Sequence, residues 1–165
     1  MPRAHPGSTG TSPGKDIVAV LHNIRSLHNI GSMFRTADAA GISKIYLTGF
    51  SGLPTDPKAA KVALGAERMV PWERYVRIGD LIRRLQKDGH QIVVLEQDSR
   101  SIPPYAFQPK FPIALIVGHE VRGVSATIRK RADAVIEIPQ YGKKESLNVS
   151  VAFGIAVYAL LRTKH

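Results

Sequence analysis

Two short, unbroken apolar runs, Ile17-Val18-Ala19-Val20-Leu21 and Ile113-Ala114-Leu115-Ile116-Val117, narrow the architectures open to this sequence more than anything else in it. A strand with one face in water alternates apolar and polar residues. A run without alternation is covered on both faces, the situation of a strand inside a parallel sheet. Parallel strands need long crossover connections, normally helical. The sequence supplies them: from Asn29, apolar residues recur at Ile30, Met33, Phe34 and Ala37, with Asn29 available as N-cap and Gly41 placed to stop the helix. Ile78, Leu81, Ile82 and Leu85 repeat the pattern before Gly89, and Val149, Ala152, Phe153, Ala156, Val157 and Leu160 mark a long C-terminal helix.

Between these lie Lys44–Thr48 and Gln91–Leu95, read as strands, and a glycine- and proline-rich stretch from Gly49 to Pro57, read as a surface loop. A short helix is expected over Lys58–Ala66, an irregular strand over Val70–Val76 interrupted by Pro71, a brief helix over Ser125–Arg131 and a strand over Ala134–Ile138. Alternating strands and helices imply an α/β fold around a mainly parallel sheet, with ligands at the carboxyl ends of the strands. The 165 residues suit one domain, expected from residue 15 to 165. Met1–Gly14, with Pro2, Pro6, Pro13 and almost nothing apolar, is expected to be a flexible tail.

Lys and Arg number 23 against 13 Asp and Glu, a formal net charge of +10, which suits either a polyanion binder or a solvated basic surface. The basic clusters are short: Arg83-Arg84, Arg129-Lys130-Arg131 and Lys143-Lys144. With no cysteine, a disulfide framework, a thiolate nucleophile and any cysteine-ligated metal are excluded. His22, His28 and His119 lack metal-ligand spacing, so no metal site is expected. The chain holds no G-x-S-x-G elbow, no dinucleotide-binding G-x-G-x-x-G and no P-loop. No apolar run reaches the length of a membrane span and no signal-peptide pattern opens the chain, so a cytoplasmic location and no membrane contact are expected.

Three polar segments follow predicted strands, where loops build sites. The first carries Asn29 and Arg35; a guanidinium beside an apolar stripe pairs with an acid such as Asp38 or holds a fixed anion such as phosphate. The second, Gly118-His119-Glu120-Val121-Arg122-Gly123-Val124-Ser125, has two glycines that permit close backbone approach. The third runs from Ile138-Pro139 to Ser146-Leu147-Asn148-Val149-Ser150-Val151-Ala152, where Ser146 or Asn148 is also placed to cap the last helix.

In order and separation, Asn29–Ala37, Ile116–Ser125 and Ile138–Ala152 resemble the three motifs of the SpoU-type (TrmH-like) RNA ribose 2'-O-methyltransferases of the SPOUT superfamily, and the resemblance extends from Asp16 to Arg162. It implies a Rossmann-like domain with a C-terminal trefoil knot, acting as a homodimer with S-adenosylmethionine as cofactor and S-adenosylhomocysteine as product. Carried over position by position, Leu95, Gly118, Ile138, Ser146 and Leu147 line the cofactor pocket, and the catalytic group comprises Arg35, Asn29, Glu120, Ser146 and Asn148. His119 stands where Asn is frequent in the family and Gln140 where Met is frequent.

No separate RNA-binding domain is evident, so the domain itself is expected to grip RNA through Arg25, Arg129, Lys130, Arg131, Lys143 and Lys144, with tRNA favoured over rRNA. Competing expectations are a SPOUT-like module that binds RNA without methylating it, and methylation of a base instead of the ribose.

Overall fold

The computed structural model describes residues 16–144 and 146–164. The tail expected over residues 1–14 lies outside the described residues. Six strands, β1 (Ile17–His22), β2 (Lys44–Thr48), β3 (Trp72–Tyr75), β4 (Gln91–Leu95), β5 (Ile113–Val117) and β6 (Ala134–Ile136), form one sheet in the order β3-β2-β1-β5-β4-β6. Every neighbouring pair is parallel. The main helices are α1 (Leu27–Ala40), α2 (Pro57–Ala63), α3 (Ala66–Met69), α4 (Ile78–Lys87), α5 (Ala126–Arg131) and α6 (Val149–Leu161).

The unbroken apolar runs are explained by burial on both sides. Ile17, Ala19 and Leu21 of β1 and Ile113, Leu115 and Val117 of β5 pack against Phe34 and Met33 of α1 and Phe153 and Val157 of α6. Val18 and Val20, with Ala114 and Ile116, face the opposite layer, against Leu81, Ile82 and Leu85 of α4 and Ile128 of α5. The result is a sheet between two helical layers, and its central strands, β1 and β5, are the two that read most clearly as buried.

The boundaries shift where capping chemistry decides them. Helix α1 begins at Leu27, because the Ser26 side chain accepts the Asn29 N–H; Ser26, not Asn29, is the N-cap. Gly41 ends it in the left-handed conformation, φ 72°, as expected. Asn148 caps α6 by accepting the Ser150 N–H at 2.9 Å, which resolves the choice between Ser146 and Asn148. The expected helix over 58–66 divides into α2 and α3, and the strand expected over 134–138 stops at Ile136, two residues before Ile138-Pro139.

Candidate active site

The loops after β4, β5 and β6 meet the start of α6 around a pocket of about 320 Å³ at the carboxyl ends of the strands. Its lining includes Leu95, Gly118, Ile138, Ser146 and Leu147, all five residues expected there, together with Glu120. The tight turn after β5 depends on Gly118: a Cβ at that position would stand 2.7 Å from the Gly123 carbonyl oxygen, where backbone would have to move. Glu96 ties two of the loops together, one carboxylate oxygen accepting the Gln97 N–H and the other the Val124 N–H, both at 2.9 Å.

A hydrogen-bonded chain joins all three motif segments. The Asn148 amide donates to Asn29 Oδ1 at 3.2 Å, and the Asn29 amide reaches Glu120 Oε1 at 3.5 Å. The same Glu120 oxygen accepts the Ser26 N–H at 3.0 Å. Asn29 is buried, so its side chain is held by these partners and not by water. Burial alone would raise the Glu120 carboxyl, but the N–H groups of Ser26, of Glu120 itself and of Arg25, with the Asn29 amide, outweigh it and hold the group below its ordinary value of 4.5. Glu120 therefore stands ionised at neutral pH. In His119, Nδ1 accepts the N–H groups of Val121 and Arg122, which fixes the imidazole at the pocket rim.

Arg35 is exposed on α1, outside the pocket of its own chain, and pairs with neither Asp38 nor any other acid among the described residues. The cations expected to grip RNA divide. Arg129 binds Asp98 at 2.9 Å and the Val124 carbonyl, bracing two loops, and Arg131 donates to the Gly79 carbonyl at 3.2 Å, bracing the first turn of α4. Arg25, Lys130, Lys143 and Lys144 are exposed.

Glu96 and Glu137 also line the pocket and were not anticipated; only their place at strand ends hinted at a role. With Glu120 they put three carboxylates, against the single arginine Arg122, around one cavity in a chain of net charge +10. Such a lining suits a cationic ligand with an apolar body, the latter facing Leu95, Val117, Ile138, Leu147 and Val149. No group of metal-ligating side chains occurs among the described residues.

Residues 16–158 match the SpoU rRNA Methylase family. The chain belongs to this family.

Among similar proteins, a 23S rRNA (guanosine-2'-O-)-methyltransferase RlmB of Haemophilus ducreyi is 34% identical over 149 residues, covering 90% of this chain and 60% of that protein. The chain thus spans about three fifths of the length of such relatives. The crystal structure of an AdoMet-bound rRNA methyltransferase from Sinorhizobium meliloti superposes with a TM-score of 0.85 at 30% identity, over 90% of this chain and 56% of that one. A solved structure described as giving insights into the 2-OH methylation of C/U34 on tRNA superposes with a TM-score of 0.80 at 25% identity, over 90% of this chain and 95% of its own. The α/β architecture with a mainly parallel sheet, expected from the resemblance, is thereby met.

Proposed function

We propose that the protein is an S-adenosylmethionine-dependent RNA methyltransferase acting on a ribose 2'-hydroxyl, with tRNA favoured over rRNA. The observation that carries this reading is the meeting of three distant segments, through Asn29, Glu120 and Asn148, beside one carboxylate-lined pocket. A SpoU relative of known AdoMet binding superposes over nine tenths of the chain. The preference for tRNA rests on the neighbour whose description concerns 2-OH methylation on tRNA.

When bound, the cofactor supplies an electrophilic methyl on a sulfonium. Leu95, Gly118, Ile138, Ser146 and Leu147 hold its uncharged parts, and the carboxylates complement its positive charge. Glu120 and Asn148 order the loops that shape the pocket. A ribose hydroxyl is a poor nucleophile and gains most from alignment and from relief of developing charge. A guanidinium is a poor proton acceptor in proteins, so Arg35 is not given the role of general base. It acts as a clamp on the phosphate beside the target ribose and stabilises negative charge building on the oxygen, while the proton leaves to phosphate or water.

The site then needs a second copy of the chain, since Arg35 stands outside its own pocket. Val151, Ile155 and Tyr158 repeat along α6 as a half-exposed apolar stripe, and α1, which carries Arg35, packs against α6. A homodimer sealed on this stripe is part of the same reading, as is the family's C-terminal knot.

Labelled methyl transfer to unmodified tRNA and, separately, to ribosomal RNA tests the proposal, with wild type and Arg35→Ala and analysis of the product nucleosides. Label in a 2'-O-methyl nucleoside, lost in Arg35→Ala while cofactor affinity is kept, is the expected result. Label in a base would move the reaction to base methylation. Cofactor-independent RNA binding without transfer would leave only a binding module.

A further inference from the structure

The direction of strand order reverses between β1 and β5, and in open parallel sheets the crevice at such a switch point is where ligands bind. The pocket described above is displaced from it, over β5, β4 and β6. The crevice is walled by loops after β2, β1 and β5, three neighbours in the sheet, and those loops hold out an aromatic ring among basic side chains.

Phe50 is 51% exposed. The Arg25 guanidinium carbon lies 5.9 Å from its ring centroid, and the His119 imidazole meets it nearly edge-on, with centroids 5.9 Å apart and planes at 74°. Exposed phenylalanines are common, but this one is fixed from both sides. Its own N–H donates to Asn23 Oδ1 at 3.1 Å. Gly49 before it has φ +61°, and a Cβ there would stand 1.9 Å from the same Asn23 oxygen. Ser51 after it is buried, its hydroxyl accepting the Ile24 N–H and donating to the Leu21 carbonyl. Arg74 donates to the carbonyls of both Gly49 and Ser51. Polar groups of β1, of β3 and of the loops after β1 and β2 thus fix a backbone that presents an aromatic ring to solvent.

We infer that Phe50, flanked by Arg25, is a stacking platform for the base of an unpaired nucleotide of the substrate RNA, seated at the switch-point crevice beside the methyl-transfer pocket. A phosphate alone would engage Arg25 and ignore the ring. A base offers the ring a π-face and brings a backbone phosphate within reach of the guanidinium. Base pairs in a duplex hide those faces, so the ligand is a single-stranded or looped-out nucleotide. Phe50 is thereby a positioning residue; it touches no reacting atom. The inference rests on the RNA methyltransferase reading for its substrate.

The test combines kinetics with fluorescence. Phe50→Ala should raise KM for RNA roughly tenfold or more, with kcat and the dissociation constant for S-adenosylmethionine within about twofold, and Phe50→Tyr should restore the wild-type KM. In Phe50→Trp, the emission of the introduced indole, measured against the single native Trp72, should be quenched by a single-stranded RNA of roughly 12 nucleotides. The same RNA as a duplex, or as an abasic strand, should quench it far less. An unchanged RNA KM in Phe50→Ala, with methyl transfer intact, overturns the platform and leaves the methyltransferase reading standing. Should wild type methylate no RNA, that reading fails and the indole decides the platform alone: selective quenching by single strands supports it, and equal or absent quenching overturns it.

Discussion

Asn29 sits where two motifs would otherwise fail to communicate. Its buried amide serves Glu120 and Asn148 at once, and its N–H is the donor that Ser26 captures at the start of α1. Asn29→Ala removes the middle of this chain and leaves the Asn148 amide and part of the Glu120 carboxylate to find new partners. Asn148 is exposed and Glu120 half-buried, so water can take the place of the lost amide; the variant should lose no more than about 1 kcal/mol of stability in urea and lose methyl transfer beyond what stability explains. Urea titration beside a turnover assay separates the two losses. Arg35, by contrast, forms no ion pair among the described residues, and its replacement should leave the urea midpoint nearly unchanged.

Among the elements, α1 does most to assemble the site, because its first turn reaches the loop after β5. The Ser26 side chain caps the helix while the Ser26 N–H is held by Glu120. Ser26→Ala should cost about 1 kcal/mol as a lost N-cap, and amide exchange should speed up first in residues 27–29, before the core strands respond. The start of this helix was hidden in the sequence because Asn29 looks like a cap and is used as a bridge. Strands β1 and β5 were legible because burial on both faces leaves runs of five apolar residues in them, and β2 and β4 because apolar and β-branched residues follow Lys44 and Gln91 at their starts. Three motif segments were legible for a different reason, their resemblance to a known order. Glu96 and Glu137 were not, since a carboxylate after a strand fits any solvated loop. Phe50 was not, since its fixed backbone depends on Asn23, Ser51 and Arg74, which are distant or unremarkable in the chain.

For the molecule as a whole, acid should act in two stages. Burial holds His22 below its ordinary value of 6.5, with Nδ1 against Thr48 Oγ1 at 2.9 Å and Nε2 against the Asn23 amide at 3.2 Å. The unfolded chain takes this proton more readily, so the stabilisation is complete above pH 6.5 and declines as pH falls from there toward the lower folded value. Glu73, held down by its hydrogen bond to Lys44, Asp98, by the Arg100 N–H, and Glu120, by its donors, are depressed carboxylates whose contributions are present above their unfolded values and lost as pH falls below 4.5. Denaturant midpoints measured across pH should show both limbs, with His22→Gln flattening the upper and Glu120→Gln reducing the lower. The proposed dimer makes its own prediction at this scale. Arg35→Ala and Asn148→Ala, each inactive alone, should recover partial activity when mixed and refolded together, because a mixed pair holds one intact combination of arginine and pocket; Ile155→Asp should give monomers by light scattering. His119 finally belongs to two surfaces, lining the pocket and meeting the edge of Phe50. A residue shared in this way makes the two binding events thermodynamically linked, and linkage is reciprocal: by whatever factor a filled pocket changes the affinity for RNA, bound RNA changes the affinity for cofactor by the same factor.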